Sequence, residues 1–282
     1  MKIFASYVGT TLLFFMTVSC VLAQQQEEEK HLLQYSFQPD EKLRWEVTHL
    51  GITNTKIRGT QEQSETRSVA TKLWEITEVD EEKGLFTLVH MVEKVSMRNK
   101  ISGQEETLFD SQEDKEVPLQ YRQVARGIGV PLATIVLNRQ GQVVSRKAKI
   151  EQKLDLGLGH FTLPLPAERI TAGTSWSSPH SIMVKETNGQ SKEIKTRQRY
   201  KLLHVKNGLA TIQIKTEVLT PVADPKIKSQ LVQRLTDGQV VFDMLAGRVL
   251  SKTMDWDEDI VGFSGAESRL KYTAKYEEKL VK

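Results

Sequence analysis

One pattern is written twice in this chain. Residues 118–146 run from Pro118 through the apolar positions Tyr121, Val124, Ala125 and Ile128 to Ile135-Val136-Leu137 and then Gly141-Gln142-Val143-Val144-Ser145. Residues 225–252 follow the same plan: Pro225, then Ile227, Leu231 and Leu235, then Val240-Val241-Phe242 and Gly247-Arg248-Val249-Leu250-Ser251. The glycines lie 106 positions apart and the prolines 107, so each half is predicted to carry a proline-started helix followed by a glycine-turned hairpin. Such a repeat constrains architecture and leaves chemistry open.

The remaining strand signals fit two similar units. Leu43, Trp45 and Val47 alternate with Arg44, Glu46 and Thr48, the period of two of a strand with one buried face. Residues 73–79 and 85–95 flank an Asp-Glu-Glu-Lys-Gly turn, and residues 200–205 and 209–219 flank Asn207-Gly208, a strong hairpin signal because both residues tolerate positive φ. Trp45 and Trp176 open the two halves in similar ways. Leu270, Tyr272, Ala274 and Tyr276 give a terminal strand with one tyrosine-bearing face. Two helices of about three turns are predicted, from Pro118 and from Asp224-Pro225, each too short to persist without docking on a sheet. Ala148, Ile150, Leu154 and Leu158 predict a linking helix over residues 147–159. The expected fold class is α+β, mainly antiparallel β, with halves at 35–146 and 160–282, each a curved sheet with a short docked helix, sharing a core.

Residues 1–23 read as a signal peptide. Lys2 supplies the positive start, residues 7–18 an uncharged, largely apolar run, and Val21-Leu22-Ala23 a cleavage site. A rival reading makes Cys20 the lipidated N-terminus of a lipoprotein. Residues 24–34, Glu- and Gln-rich, are expected to be a polar tether. Cys20 is the sole cysteine, so the exported chain is expected to be stable without disulfides or Cys-ligated metal, in the periplasm or outside the cell, with no transmembrane helix after leader removal. The 39 basic and 36 acidic residues are interspersed, which argues against a nucleic-acid partner.

No motif for catalysis stands out. The six histidines show no zinc spacing, Arg126-Gly127-Ile128-Gly129 is not a dinucleotide loop, and Gly262-Phe263-Ser264-Gly265 is not a nucleophile elbow. Asp255, Asp257 and Asp259 are weak metal candidates: alternate carboxylates on a loop can converge on calcium, but the glycine and trailing glutamate of an EF-hand are missing. Glu75 and Glu217 are the carboxylates on which a hydrolase reading, the weakest, would rest. No cofactor is expected. Trp176, Ile212, Ile214, Phe242, Tyr272 and Tyr276 are candidates to line a groove for a lipid or other apolar ligand, or else are ordinary sheet core.

Leu163-Pro164-Leu165-Pro166, Gly173-Thr174-Ser175-Trp176 and the hairpin Asn138-Arg139-Gln140-Gly141-Gln142-Val143 resemble a family of uncharacterised exported bacterial proteins, a domain of unknown function. The resemblance covers most of the chain from Tyr35 onward and implies no activity. The first half departs from it, with Lys42 three before Trp45 where Gly173 stands three before Trp176. The functional expectation is non-catalytic binding of an apolar or amphipathic ligand or of an envelope protein partner, by analogy with duplicated half-barrel lipid carriers; the alternative is an interaction module without a small ligand.

Overall fold

The computed structural model describes residues 29–149 and 162–281. These form a single antiparallel sheet of β1 (Lys42–Ile57), β2 (Thr60–Asp80), β3 (Leu85–Ile101), β4 (Thr107–Asp110), β5 (Pro131–Asn138), β6 (Val143–Ala148), β7 (Ser175–Lys185), β8 (Ser191–Lys206), β9 (Leu209–Val218), β10 (Asp237–Asp243), β11 (Arg248–Val261) and β12 (Arg269–Val281). The strand order is β6-β5-β3-β2-β1-β12-β11-β10-β9-β8-β7, with the short β4 paired to β3. The chain therefore starts in the middle, meanders out to β6, restarts at the opposite edge with β7, and meanders back to pair β12 with β1. The expected mainly antiparallel architecture is present.

Alternation decides which face is wet. Along β8, Ile194, Thr196, Gln198, Tyr200 and Leu202 are buried while Glu193, Lys195, Arg197, Arg199 and Lys201 are exposed. A one-sided sheet needs a cover for its apolar face. The cover is chain without regular structure: Leu33, Tyr35 and Phe37 from the N-terminal segment, and Leu163, Leu165 and Ile170 from the segment before β7, all in one cluster with Trp45, Trp74, Tyr200, Ile212 and Phe242. The two segments hold each other through paired backbone hydrogen bonds between His31 and Ile170 at 2.8 and 2.9 Å. Burying a side chain the size of Leu33 or Phe37 contributes about 1.5–3 kcal/mol.

Hairpin tips fix this N-terminal plug in place. The Tyr35 amide donates to the Arg139 carbonyl at 2.8 Å, and the Ser36 amide to the Gly247 carbonyl at 3.0 Å. A Cβ on Gly141 would lie 2.3 Å from a ring carbon of Tyr35, and one on Gly247 would lie 2.5 Å from the Ser36 nitrogen; both glycines have positive φ. The two repeated glycines thus admit consecutive residues of the same segment.

Two pairs of hairpins have similar irregularities. In β2–β3 the pairing steps from Ile76↔Leu88 to Glu78↔Thr87, and in β8–β9 from Leu202↔Ile212 to His204↔Thr211. In β5–β6 it steps from Val136↔Ser145 to Leu137↔Val143, and in β10–β11 from Val241↔Ser251 to Phe242↔Val249.

Several boundaries differ from expectation. The helix expected at Pro118 is a 3-10 turn (Leu119–Tyr121) continued by α1 (Arg122–Ala125), because Ile128 already bridges to Val92 on the sheet. Its side chains pack on Val95 and Phe109. The second helix, α2 (Pro225–Leu231), starts where expected, the Asp224 carboxylate accepting from the Lys226 amide at 2.8 Å, and its Ile227 and Leu231 cover Ile182, Val184 and Ile194. Lys147 and Ala148, assigned to the linking helix, end β6, paired to Thr134 and Ala133. Within the expected polar tether, Leu33 is a core residue. The signal peptide, residues 24–28 of the tether and residues 150–159 of the linking helix lie outside the described residues.

Candidate functional site

The buried face carries charge at its centre. Strand periodicity places Glu278 on the same side of β12 as Tyr276 and Tyr272, and Lys252 lies directly opposite Glu278 on β11. Lys72 reaches in from β2, one strand beyond β1, and pairs with Glu278, whose other oxygen accepts from the Tyr276 hydroxyl at 2.8 Å. The Lys72 ammonium lies 5.0 Å from the Trp45 ring centroid and 5.3 Å from that of Trp74, and the Lys252 ammonium lies 5.8 Å from that of Tyr276. Tyr35, Phe37 and Leu163 close the space from above, and His90, Gln198 and Tyr200 complete the wall around a cavity of about 40 Å³. A water needs about 10–15 Å³ of such space, so the cavity has room for a few waters or a small ion.

Polar groups in the wall are placed by neighbours. The Leu163 amide donates to the Tyr35 hydroxyl at 3.0 Å, which fastens plug to cover. Tyr200 donates to Gln198 at 2.7 Å, and Gln198 donates to Thr236 at 3.2 Å. At the rim Arg248 forms an ion pair with Glu41. Burial alone would raise the Glu278 carboxyl, but Lys72, Lys252 and the Tyr276 hydroxyl together hold it below the usual carboxylate range. Burial lowers the Lys252 ammonium, with Glu278 opposing and nearby Lys72 adding to the effect. Burial, reinforced by Lys72, lowers His90 to about 4, so its imidazole is neutral at pH 7.

The groove candidates are distributed differently from expectation. Ile212, Ile214, Phe242 and Tyr276 belong to the central core, with Trp176 packed against it. The Trp176 indole donates to the Pro164 carbonyl at 2.7 Å and stacks on Tyr200, which ties the segment before β7 to the sheet. Tyr272 lies in a separate cluster with Val232, Ile260 and Leu270 near the end of α2. Ile214 and Tyr276 line the central cavity, whereas Ile212 and Phe242 are core residues packed in one cluster with Leu33, Tyr35 and Phe37 of the plug.

Asp255, Asp257 and Asp259 are on β11, not on a loop, and successive members stand two residues apart along the strand, roughly 7 Å. Asp259 pairs with Arg269, and Asp257 with Lys271 at 3.5 Å, forming a cross-strand ladder on the wet face. Among the described residues no group of three or more His, Cys, Asp or Glu is arranged to hold a metal ion. Glu75 and Glu217 are not brought together: Glu75 on β2 pairs with Lys42 at 2.9 Å and Glu217 on β9 pairs with Arg197 at 2.5 Å, and four strands lie between β2 and β9 in the sheet.

Lys72, Lys252, His90 and Glu278 escaped sequence reasoning. Glu278 had a signal, since it continues the parity of Leu270, Tyr272, Ala274 and Tyr276 and so puts a carboxylate on an apolar face.

No protein family and no curated protein matches the chain. Among solved structures, the complex of Pseudomonas aeruginosa MucA/MucB aligns at 9% identity over 86% of this chain and 89% of that chain, with a TM-score of 0.10. A structure of MucB in complex with MucA(peri) aligns at 8% identity over 83% and 89%, with a TM-score of 0.12. Superpositions this poor carry no structural argument.

Proposed function

We propose that the protein is an exported, non-catalytic interaction module of the cell envelope that carries no acyl ligand in its concavity. The observation behind this reading is occupancy: Leu33, Tyr35 and Phe37 fill the space where an apolar ligand was expected, and the cavity left is about 40 Å³. An acyl chain would gain about 0.8 kcal/mol per buried CH₂, but here it would first have to displace side chains already buried at the same site. Export rests on the reading of residues 1–23, either as a soluble periplasmic or extracellular protein or as a lipoprotein held through Cys20. Among the described residues no helix is long and apolar enough to cross a membrane. The resemblance to uncharacterised exported bacterial proteins belongs to the same proposal.

The reading includes a duplication. The matched bulges of the β2–β3 and β8–β9 hairpins, and of the β5–β6 and β10–β11 hairpins, support two copies of one unit. So do Gly141 and Gly247, each facing the plug, and Gly84 and Gly208, whose nearest side chains are Arg139 and Leu245, two residues before those glycines. Within this reading Trp176 is matched with Leu43 in place of Trp45, because Trp176 pairs with Tyr200 as Leu43 pairs with Trp74. The first test is native mass spectrometry of the purified exported protein, followed by organic extraction. The expected result is a ligand-free mass and no thermal shift with fatty acids or lysophospholipids. A stoichiometric co-purified lipid would replace this reading with a carrier.

A further inference from the structure

We propose that the central cavity is a binding site for a small monovalent anion, of formate or chloride size, held by Lys252. The charges facing the cavity are unequal. Lys72 is paired with Glu278, and Arg248 with Glu41. Glu278 is the carboxylate opposite Lys252 in the ladder, yet its oxygens are engaged by the Lys72 ammonium and the Tyr276 hydroxyl. Lys252 is left over the Tyr276 ring with no carboxylate of the described residues at ion-pair distance. His90 is neutral and offers no negative charge. The wall around the half-buried Lys252 also holds Trp45, Trp74, Tyr35 and Tyr200, with Gln198 and Thr162 among its few neutral polar groups, a setting in which a cation without a counter-ion is costly. A monoanion beside Lys252 balances the two lysines against Glu278 plus the ligand. The volume of about 40 Å³ selects for size, and the aromatic wall disfavours a doubly charged, strongly hydrated ion.

The test is thermal unfolding of the full exported chain in sodium formate against sodium gluconate at equal ionic strength, gluconate being too large for the cavity. The expected result is an upward shift of Tm that saturates with formate and is absent with gluconate, as mass action requires for a ligand of the native state. Lys252→Met should lose the formate response. Glu278→Gln, which removes the competing carboxylate, should reach half-saturation at several-fold lower formate. Equal responses to the two salts in the wild-type protein, or an undiminished formate response in K252M, would overturn the proposal. The wild-type comparison decides alone if either variant does not fold. A ligand-free mass with a formate-specific shift would leave the module reading intact, so the two proposals fail separately.

Discussion

Burying Lys72 and Glu278 costs solvation that their mutual attraction offsets only because the surroundings help: Tyr276 donates to the carboxylate, and Trp45 and Trp74 present ring faces to the ammonium. His90, on the same buried face, makes stability depend on pH. Its folded value is about 4, whereas in the unfolded chain an unperturbed histidine titrates near 6.5. Between those values the unfolded state takes up a proton that the folded state refuses, so His90 adds stability above pH 6.5 that is lost as pH falls toward 4. The full effect is on the order of 3 kcal/mol. We expect urea midpoints of the wild-type protein to fall across that window, and those of His90→Leu to fall distinctly less. An identical slope in the variant would show that His90 is not the group responsible.

At the scale of elements, irregular chain does what helices were expected to do. The segments carrying Tyr35 and Leu163 cover the central core, while α1 packs on β3 and β4 and α2 reaches from β7 to β11 over separate, smaller clusters. The tight approach of the plug to Gly141 and Gly247 gives an expected mutational pattern. Gly141→Ala and Gly247→Ala combine a left-handed backbone with overlap against Tyr35 and Ser36, and each should destabilise by about 2 kcal/mol or more in chemical denaturation. Gly173→Ala, also at positive φ but with open space around the added methyl, should cost less. Equal losses at all three positions would mean that backbone strain alone matters and that the plug does not press on the turns.

For the whole molecule the seam between β1 and β12 is decisive, because it joins the first and last strands over a ladder running from Arg44↔Val281 to Lys56↔Arg269. Separately expressed fragments 29–149 and 162–281 would each expose one side of that seam and lose half of the shared core. We expect both to aggregate, and a soluble monomeric fragment with cooperative unfolding would contradict the shared core. Strand alternation, the Asn207-Gly208 turn, the Asp224-Pro225 helix start and the recurring hairpins were readable in the sequence, because each depends on residues a few positions apart. The fate of Leu33 and Tyr35 and the meeting of Lys72 with Glu278 were not. Tyr35 is fixed by a contact with Leu163, 128 residues away, and Lys72 by one with Glu278, 206 residues away, which no local period encodes. The sequence by itself determined an antiparallel sheet with one wet face and a repeated hairpin plan; only the tertiary structure decided what covers the other face, because several apolar segments are chemically able to do so and the closure of β12 on β1 selects among them.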